Sequence, residues 1–254
     1  GLPVLATDVE GVRELLGGEE WDPQLERIPV ERFSRELLKA LASPRPELFF
    51  RLMRVYRAGR LFLPELFAMP RVPAGPPEYH PEGDLFRHSC RVLAAVAAVT
   101  ADPLARYCAF FHDIGKLATP PGLHPRHHGH EEAGFNPAGE LGRRLQLPRE
   151  YGRALAWVSR LHGKANKLGT LRPGTALGLA EQALKGGVDG ILPLVSAADS
   201  PGGMDQALWQ KLLGVARMTT SQLGIDQEVL LRLPEEKRGE MILQRRIEAF
   251  RQAG

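Results

Sequence analysis

Apolar positions recur along this chain at helical spacing, in blocks separated by prolines and glycines. Phe33, Leu37, Leu38 and Leu41 follow Pro29 and predict a helix that stops before Ser43-Pro44. Pro46 opens a second helix through Leu48, Leu52, Val55 and Tyr56, with Gly59 as its stop. A third is expected over 84–100 and a fourth over 103–114. After a histidine-rich loop, the pattern predicts helices near 131–146, 148–162, 174–186 and 188–199. Residues 203–254 carry two more helical patterns, split by the turn at Leu233-Pro234. A short helix over Val9–Leu16 is expected inside a weakly patterned lead-in. Strand-like alternation is nearly absent, so an all-α fold is expected.

Prolines 70, 73, 76, 77 and 81 form a connector and a natural boundary. The expected division is 1–75 as lead-in and first helices, 76–203 as the central helical domain, and 204–254 as a helical tail. At 43% hydrophobic and 25% charged residues, the chain has the balance of a folded domain rather than a disordered one. A net charge of +3 and a pI near 9.0 admit an RNA or phosphate-bearing partner without requiring one. Arg51, Arg54, Arg57 and Arg60 fall three apart, a spacing that reads first as a solvated face and second as an RNA contact. The two cysteines, Cys90 and Cys108, exclude a disulfide framework and a thiolate zinc cluster. The longest apolar run, Val92–Val99, is too short to span a membrane, and no secretory leader opens the chain. A cytoplasmic location follows as the expectation. The first residue is Gly1 rather than Met, as expected of a processed chain or a piece of a longer one.

The most informative feature is His112-Asp113, in the run Phe111-His112-Asp113-Ile114-Gly115-Lys116. Alone, such a pair reads as a brace for a helix. Its surroundings change that reading, because His88 lies upstream and His130, His162 and Asp199 lie downstream. Asp113 and Asp199 each end an apolar helical stretch, where a bare carboxylate is costly and a shared cation resolves the cost. His88, His112, Asp113 and Asp199 are therefore the expected ligands of one divalent ion. His130 and His162 are candidates for a second ion or for polarising a substrate phosphate; a hydrogen-bonded core histidine is the alternative for His162. Lys116 and Arg126 could hold phosphate oxygens or simply face solvent. His127 and His128 are candidate proton donors to a leaving oxygen. Mg, Mn, Ni, Co and Zn are all compatible with such ligands.

This array resembles the HD superfamily of metal-dependent phosphohydrolases. Within it, Tyr79-His80-Pro81-Glu82, His112-Asp113-Ile114-Gly115-Lys116, Thr119-Pro120-Pro121 and Pro125-Arg126-His127-His128-Gly129-His130 resemble the C-terminal HD domain of bacterial multifunctional CCA-adding enzymes, the tRNA nucleotidyltransferases. Ile28-Pro29-Val30-Glu31-Arg32 and the segment Ala58–Leu66 are similar to the neck and body helices that precede that domain. The resemblance implies a helical HD bundle with neck and body helices before it and a helical tail after it. It further implies a divalent metal, tRNA or another RNA 3′ end as partner, nucleotide substrates, and hydrolysis of 2′,3′-cyclic phosphates and 2′-phosphates, with Asp113 and Lys116 as catalytic groups. The family's nucleotide-adding head carries a Gly-Ser element and an Asp-x-Asp pair, and neither occurs here. CCA addition is therefore not expected of these 254 residues alone. The residue after His162 is Gly163, where the family pattern leads one to expect an acid. A non-catalytic tRNA-gripping body and an HD enzyme for free nucleotides are the competing readings.

Overall fold

The structure is a computed structural model that describes residues 28–200 and 202–252. The helix expected over Val9–Leu16 lies outside the described residues. Among those described there is no strand, only an isolated bridge between Pro73 and Asp84, so the architecture is all-α. The described residues group into two units, one ending at Arg160 and the other starting at Leu161.

In the first unit, α1 (Val30–Ala42) follows Pro29 and buries Phe33, Leu37 and Leu41. Helix α2 (Pro46–Val55) has proline at its first position, where no amide donor is needed. A short α3 (Pro64–Ala68) precedes the connector. Helices α4 (Leu85–Val99) and α5 (Pro103–Phe111) are each started by an aspartate: Asp84 accepts from the amide of Arg87 at 2.9 Å and Asp102 from that of Leu104 at 2.9 Å. Their shared core is aromatic, with Phe50 stacked on Phe110 (centroids 3.7 Å apart) and Phe111 edge-on to both.

Buried Arg106 ties these helices together. Its guanidinium donates to the carbonyls of Leu41 (2.6 Å), Ser43 (2.8 Å), Ala97 (3.1 Å) and Thr100 (2.8 Å). These oxygens sit at or just past the C-terminal ends of α1 and α4, where helix carbonyls lack partners and carry partial negative charge.

Two expected helices are broken by other structure. The one predicted over 103–114 ends at Phe111, and residues 114–118 form a 3₁₀ turn instead. The one predicted over 131–146 is two pieces, α6 (His130–Ala133) and α7 (Phe135–Arg144), meeting at Gly134. There the backbone runs against Gly115, so closely that a Cβ on Gly115 would lie 2.0 Å from the His130 carbonyl oxygen and 2.6 Å from the Gly134 nitrogen. Helix α8 (Arg149–Ala165) follows, three residues longer at its end than the pattern predicted.

In the second unit, α9 (Pro173–Gly186) ends on Gly187 in the left-handed region, which glycine adopts without a Cβ penalty. Helix α10 (Ile191–Asp199) starts three residues later than expected, because Val188–Gly190 form a turn. Asp189 in that turn accepts through its carbonyl from the Trp209 indole (3.0 Å) and through its carboxylate from Arg217 (2.8 Å). Helices α11 (Gln206–Ala216) and α13 (Glu235–Gln252) pack against α9, and Arg246 of α13 pairs with Glu181. The turn at Leu233-Pro234 separates α12 (Gln227–Arg232) from α13, as predicted.

Candidate metal centre

Three local structures deliver the central side chains. The connector folds back on itself, with the Ala74 amide bonded to the Gly83 carbonyl and the Leu85 amide to the Val72 carbonyl, each at 2.9 Å. This pairing sets Glu82 beside His88, which lies in the first turn of α4 and is fully buried. At the end of α5, His112 keeps a right-handed helical backbone while Asp113 departs from it (φ −95°, ψ 18°). The 3₁₀ turn that follows brings Lys116 back onto Asp113, its Nζ 2.7 Å from Oδ2. Gly129, at φ 78°, lets the chain turn sharply so that His130 opens α6 facing the same place.

The inner ring nitrogens converge. His88 Nε2 and His112 Nε2 are 3.4 Å apart, and lie 3.4 Å and 3.2 Å from Asp113 Oδ2. His130 Nε2 is 3.1 Å from Asp113 Oδ1. Each outer nitrogen meets a fixed acceptor: His88 Nδ1 donates to Glu82 Oε1 (2.5 Å), His112 Nδ1 to the Ala109 carbonyl (2.9 Å), and His130 Nδ1 to the His127 carbonyl (2.6 Å). A neutral ring that donates from Nδ1 carries a lone pair on Nε2. The ring nitrogens thus crowd the carboxylate from two sides, His88 and His112 Nε2 at Asp113 Oδ2 and His130 Nε2 at Oδ1.

A divalent cation fits between the His88, His112 and Asp113 donors. Metal–nitrogen bonds of about 2.0–2.1 Å place neighbouring ligand atoms about 3.0–3.4 Å apart in octahedral or tetrahedral geometry. The observed separations of 3.2–3.4 Å around Asp113 Oδ2 match that spacing. The outer acceptors play the part usual for metal-bound histidine, fixing the tautomer and the ring direction. The donor set therefore fits a divalent ion.

The electrostatics agree. Burial by itself pushes the Asp113 carboxyl up, but Lys116 and the facing imidazoles overcome this and hold it well below the usual carboxylate range. Burial would lower His130, yet its hydrogen bond to Asp113 outweighs that and raises it. The hydrogen bond from His88 holds Glu82 far below an ordinary carboxyl. The volume thus attracts positive charge.

Comparison with known proteins matches residues 85–190 to the HD domain and residues 19–69 to the family described as a probable RNA- and SrmB-binding site of polymerase A. The multifunctional CCA protein of Methylococcus capsulatus is 34% identical over 236 residues, covering 90% of this chain and 55% of that protein. That of Halorhodospira halophila is 39% identical over 158 residues, covering 62% of this chain and 38% of that protein. This is an HD-domain homologue of the multifunctional CCA proteins. The chain spans about half or less of the length of these relatives.

Within the HD domain, His88 and His112 lie against Asp113 Oδ2 and His130 against Oδ1. Lys116 has both its partners inside the protein, Asp113 and the Ala74 carbonyl at 2.7 Å, and is buried rather than reaching outward. Arg126 and His128 are exposed on the histidine turn. His127 is buried and its Nε2 donates to the Pro73 carbonyl (2.9 Å). Burial lowers its pKa from the ordinary value. In the second unit, His162 is buried, and Asp199, half-buried, accepts from Asn166 Nδ2 at 2.6 Å. Asp199 lies beyond the matched HD segment.

Glu82 was not assigned a role from the sequence. Its only signal was an acid two residues after His80 in a Pro/Gly turn entering the His88 helix. His80 completes the arrangement: its Nδ1 is 3.3 Å from Glu82 Oε1 and its ring stands edge-on to His88. A Cβ on Gly75 would lie 2.3 Å from that ring, so only glycine fits beneath it.

Proposed function

We propose that this chain is the phosphohydrolase portion of a tRNA nucleotidyltransferase-like protein, acting on RNA 3′ ends as a 2′,3′-cyclic phosphodiesterase, 2′-nucleotidase or phosphatase. The observation that carries this reading is the approach of the His88, His112 and His130 imidazoles to the Asp113 carboxylate. We assign His88, His112, Asp113 and Asp199 to one ion, with His130 and His162 as ligands of a second ion or as groups polarising the phosphate. A divalent cation held there supplies Lewis acidity toward a phosphate oxygen and lowers the pKa of water. Asp113 orients the attacking water or takes its proton. Lys116 keeps Asp113 ionised and in place. Exposed Arg126 and His128 offset charge that develops on the phosphate and leaving oxygen.

The test is incubation with 2′,3′-cyclic AMP and Mg²⁺, Mn²⁺, Ni²⁺, Co²⁺ or Zn²⁺. Metal-dependent turnover that vanishes in His112→Ala and Asp113→Ala supports the assignment; no turnover with any of these ions contradicts it. A second reading, a non-catalytic body that grips tRNA, draws on the RNA-binding match over residues 19–69. RNA affinity that persists in a chain without hydrolytic activity would favour it.

A further inference from the structure

His127 lies outside the cluster of candidate ligands, yet both sides of the metal centre lean on it. Its backbone carbonyl accepts from His130 Nδ1 at 2.6 Å. Its ring, only 8% exposed, meets the Pro73 carbonyl through Nε2 at 2.9 Å. A carbonyl can only accept, so this contact places the ring proton on Nε2. The other ring nitrogen, Nδ1, is buried and has no hydrogen-bond partner. Burying a polar atom unsatisfied costs free energy, which a turn residue facing solvent would avoid. What the buried ring gains in hydrogen bonding is the contact to Pro73.

Pro73 opens the loop that carries Glu82. The base of that loop is paired, Ala74 amide to Gly83 carbonyl and Leu85 amide to Val72 carbonyl, so residues 82–84 move with Pro73. The next carbonyl, that of Ala74, accepts from Lys116 Nζ at 2.7 Å, the same ammonium that meets Asp113. Inside the loop, Gly75 makes room for the His80 ring, and His80 Nδ1 is 3.3 Å from Glu82 Oε1. That oxygen accepts from His88 Nδ1 at 2.5 Å. An unbroken series of contacts thus runs from the His127 ring to Pro73, across the paired loop to Glu82, and on to His88.

We infer that His127 is a positioning residue of the metal centre: its ring fixes the loop that aims Glu82 at His88, and its carbonyl aims His130. The inference rests on the reading that these histidines hold a divalent ion. It assigns the ring a role by reach as well as polarity. Imidazole Nε2 lies one bond farther from Cβ than Nδ1 does. The amide nitrogen of glutamine matches the first position and that of asparagine the second. Glutamine at 127 therefore keeps a donor at Pro73, whereas asparagine and methionine withdraw it. All three leave in place the backbone carbonyl that meets His130.

The test compares His127→Asn, His127→Met and His127→Gln in the full chain, with thermal melting in EDTA to establish that each is folded. Calorimetric titration with Mn²⁺ reads affinity, and ¹H–¹⁵N spectra of the histidine rings in EDTA read the state of His88 without any metal. His127→Asn and His127→Met are expected to weaken Mn²⁺ binding about tenfold, the lower end of what loss of an outer partner costs a metal site. Both should also lose the His88 Nδ1–H signal to exchange or to a mixture of tautomers. His127→Gln should retain that signal and bind within about threefold of the parent. In a Glu82→Gln background, His127→Asn should weaken binding by less than about twofold further, because the two changes act through one contact. A parent-like His88 signal and affinity in either donor-free variant would overturn the inference. So would equal losses in the Gln and Asn variants, or a fully additive loss in the double variant. If the parent chain binds no divalent ion, the metal reading fails, and the metal-free His88 spectra alone decide the positioning role.

Discussion

Replacing Glu82 with Gln should cut divalent metal affinity by about 10–100-fold while leaving the fold intact. Glu82 Oε1 accepts from His88 Nδ1 at 2.5 Å, and its side chain is only 13% exposed, so the contact is short and weakly screened. A hydrogen bond to an ionised carboxylate is worth about 1.5–3 kcal/mol, roughly twice a neutral one. The carboxylate fixes the His88 tautomer and raises the basicity of Nε2, the atom aimed at the ion. Glutamine keeps the shape and a neutral acceptor but loses the charge. Losing about half to all of that energy corresponds to about 1–3 kcal/mol in binding, close to what loss of an outer partner costs other metal-bound histidines. The assay is isothermal titration of the purified chain with Mn²⁺, Ni²⁺ or Zn²⁺ at fixed pH, alongside thermal melting in EDTA. Affinity within twofold of the parent, with an unchanged melt, would refute the reasoning that Glu82 governs His88 as a ligand.

Lys116→Met should destabilise the metal-free protein by about 3–5 kcal/mol in urea unfolding, because it strands a buried carboxylate, and a saturating divalent ion should restore part of that loss; a change below about 1 kcal/mol would contradict it. The pH dependence in EDTA has two arms. The folded-state pKa of His130 is raised above 6.5, so its contribution is complete below that pH and is lost as pH rises through the folded value. His80 and His127 are lowered, so their neutral forms favour folding and stability falls as pH drops below 6.5. Stability should thus decline on both sides of about pH 6.5, and His130→Gln should flatten only the alkaline arm. Burial pushes the Cys90 thiol from 9.0 up to about 12, which cuts its thiolate fraction about a thousandfold. Native protein should therefore resist a disulfide reagent at pH 8 that titrates both cysteines after denaturation, and rapid native labelling would contradict the burial.

Much of this was legible from residue types alone. The helices that start on Pro29, Pro46, Asp84 and Pro103 begin where their caps predict, because capping and proline chemistry act over three or four neighbouring residues. His88, His112, Asp113 and His130 stand out in the sequence as candidate ligands because polar side chains are conspicuous beside apolar helical runs. What escaped the reading depends on contacts distant in sequence. Arg106 carries no signal of its own in the sequence, because its four carbonyl partners lie on segments brought together only by the fold. Lys116 reads as a phosphate ligand until the 3₁₀ turn directs it inward. The break at Gly134 comes from close approach to Gly115, nineteen residues earlier in the chain, which no local pattern encodes.

In the metal-free protein His88 and His112 carry their protons on Nδ1 and turn an unprotonated Nε2 toward Asp113. Long-range ¹H–¹⁵N correlation spectra of the histidine rings, in EDTA and near pH 7, read that state atom by atom. Both rings should show the Nδ1–H pattern, and added Zn²⁺ should shift their Nε2 resonances first. Protonated Nε2 in both rings, or a zinc response confined to exposed His128, would contradict it.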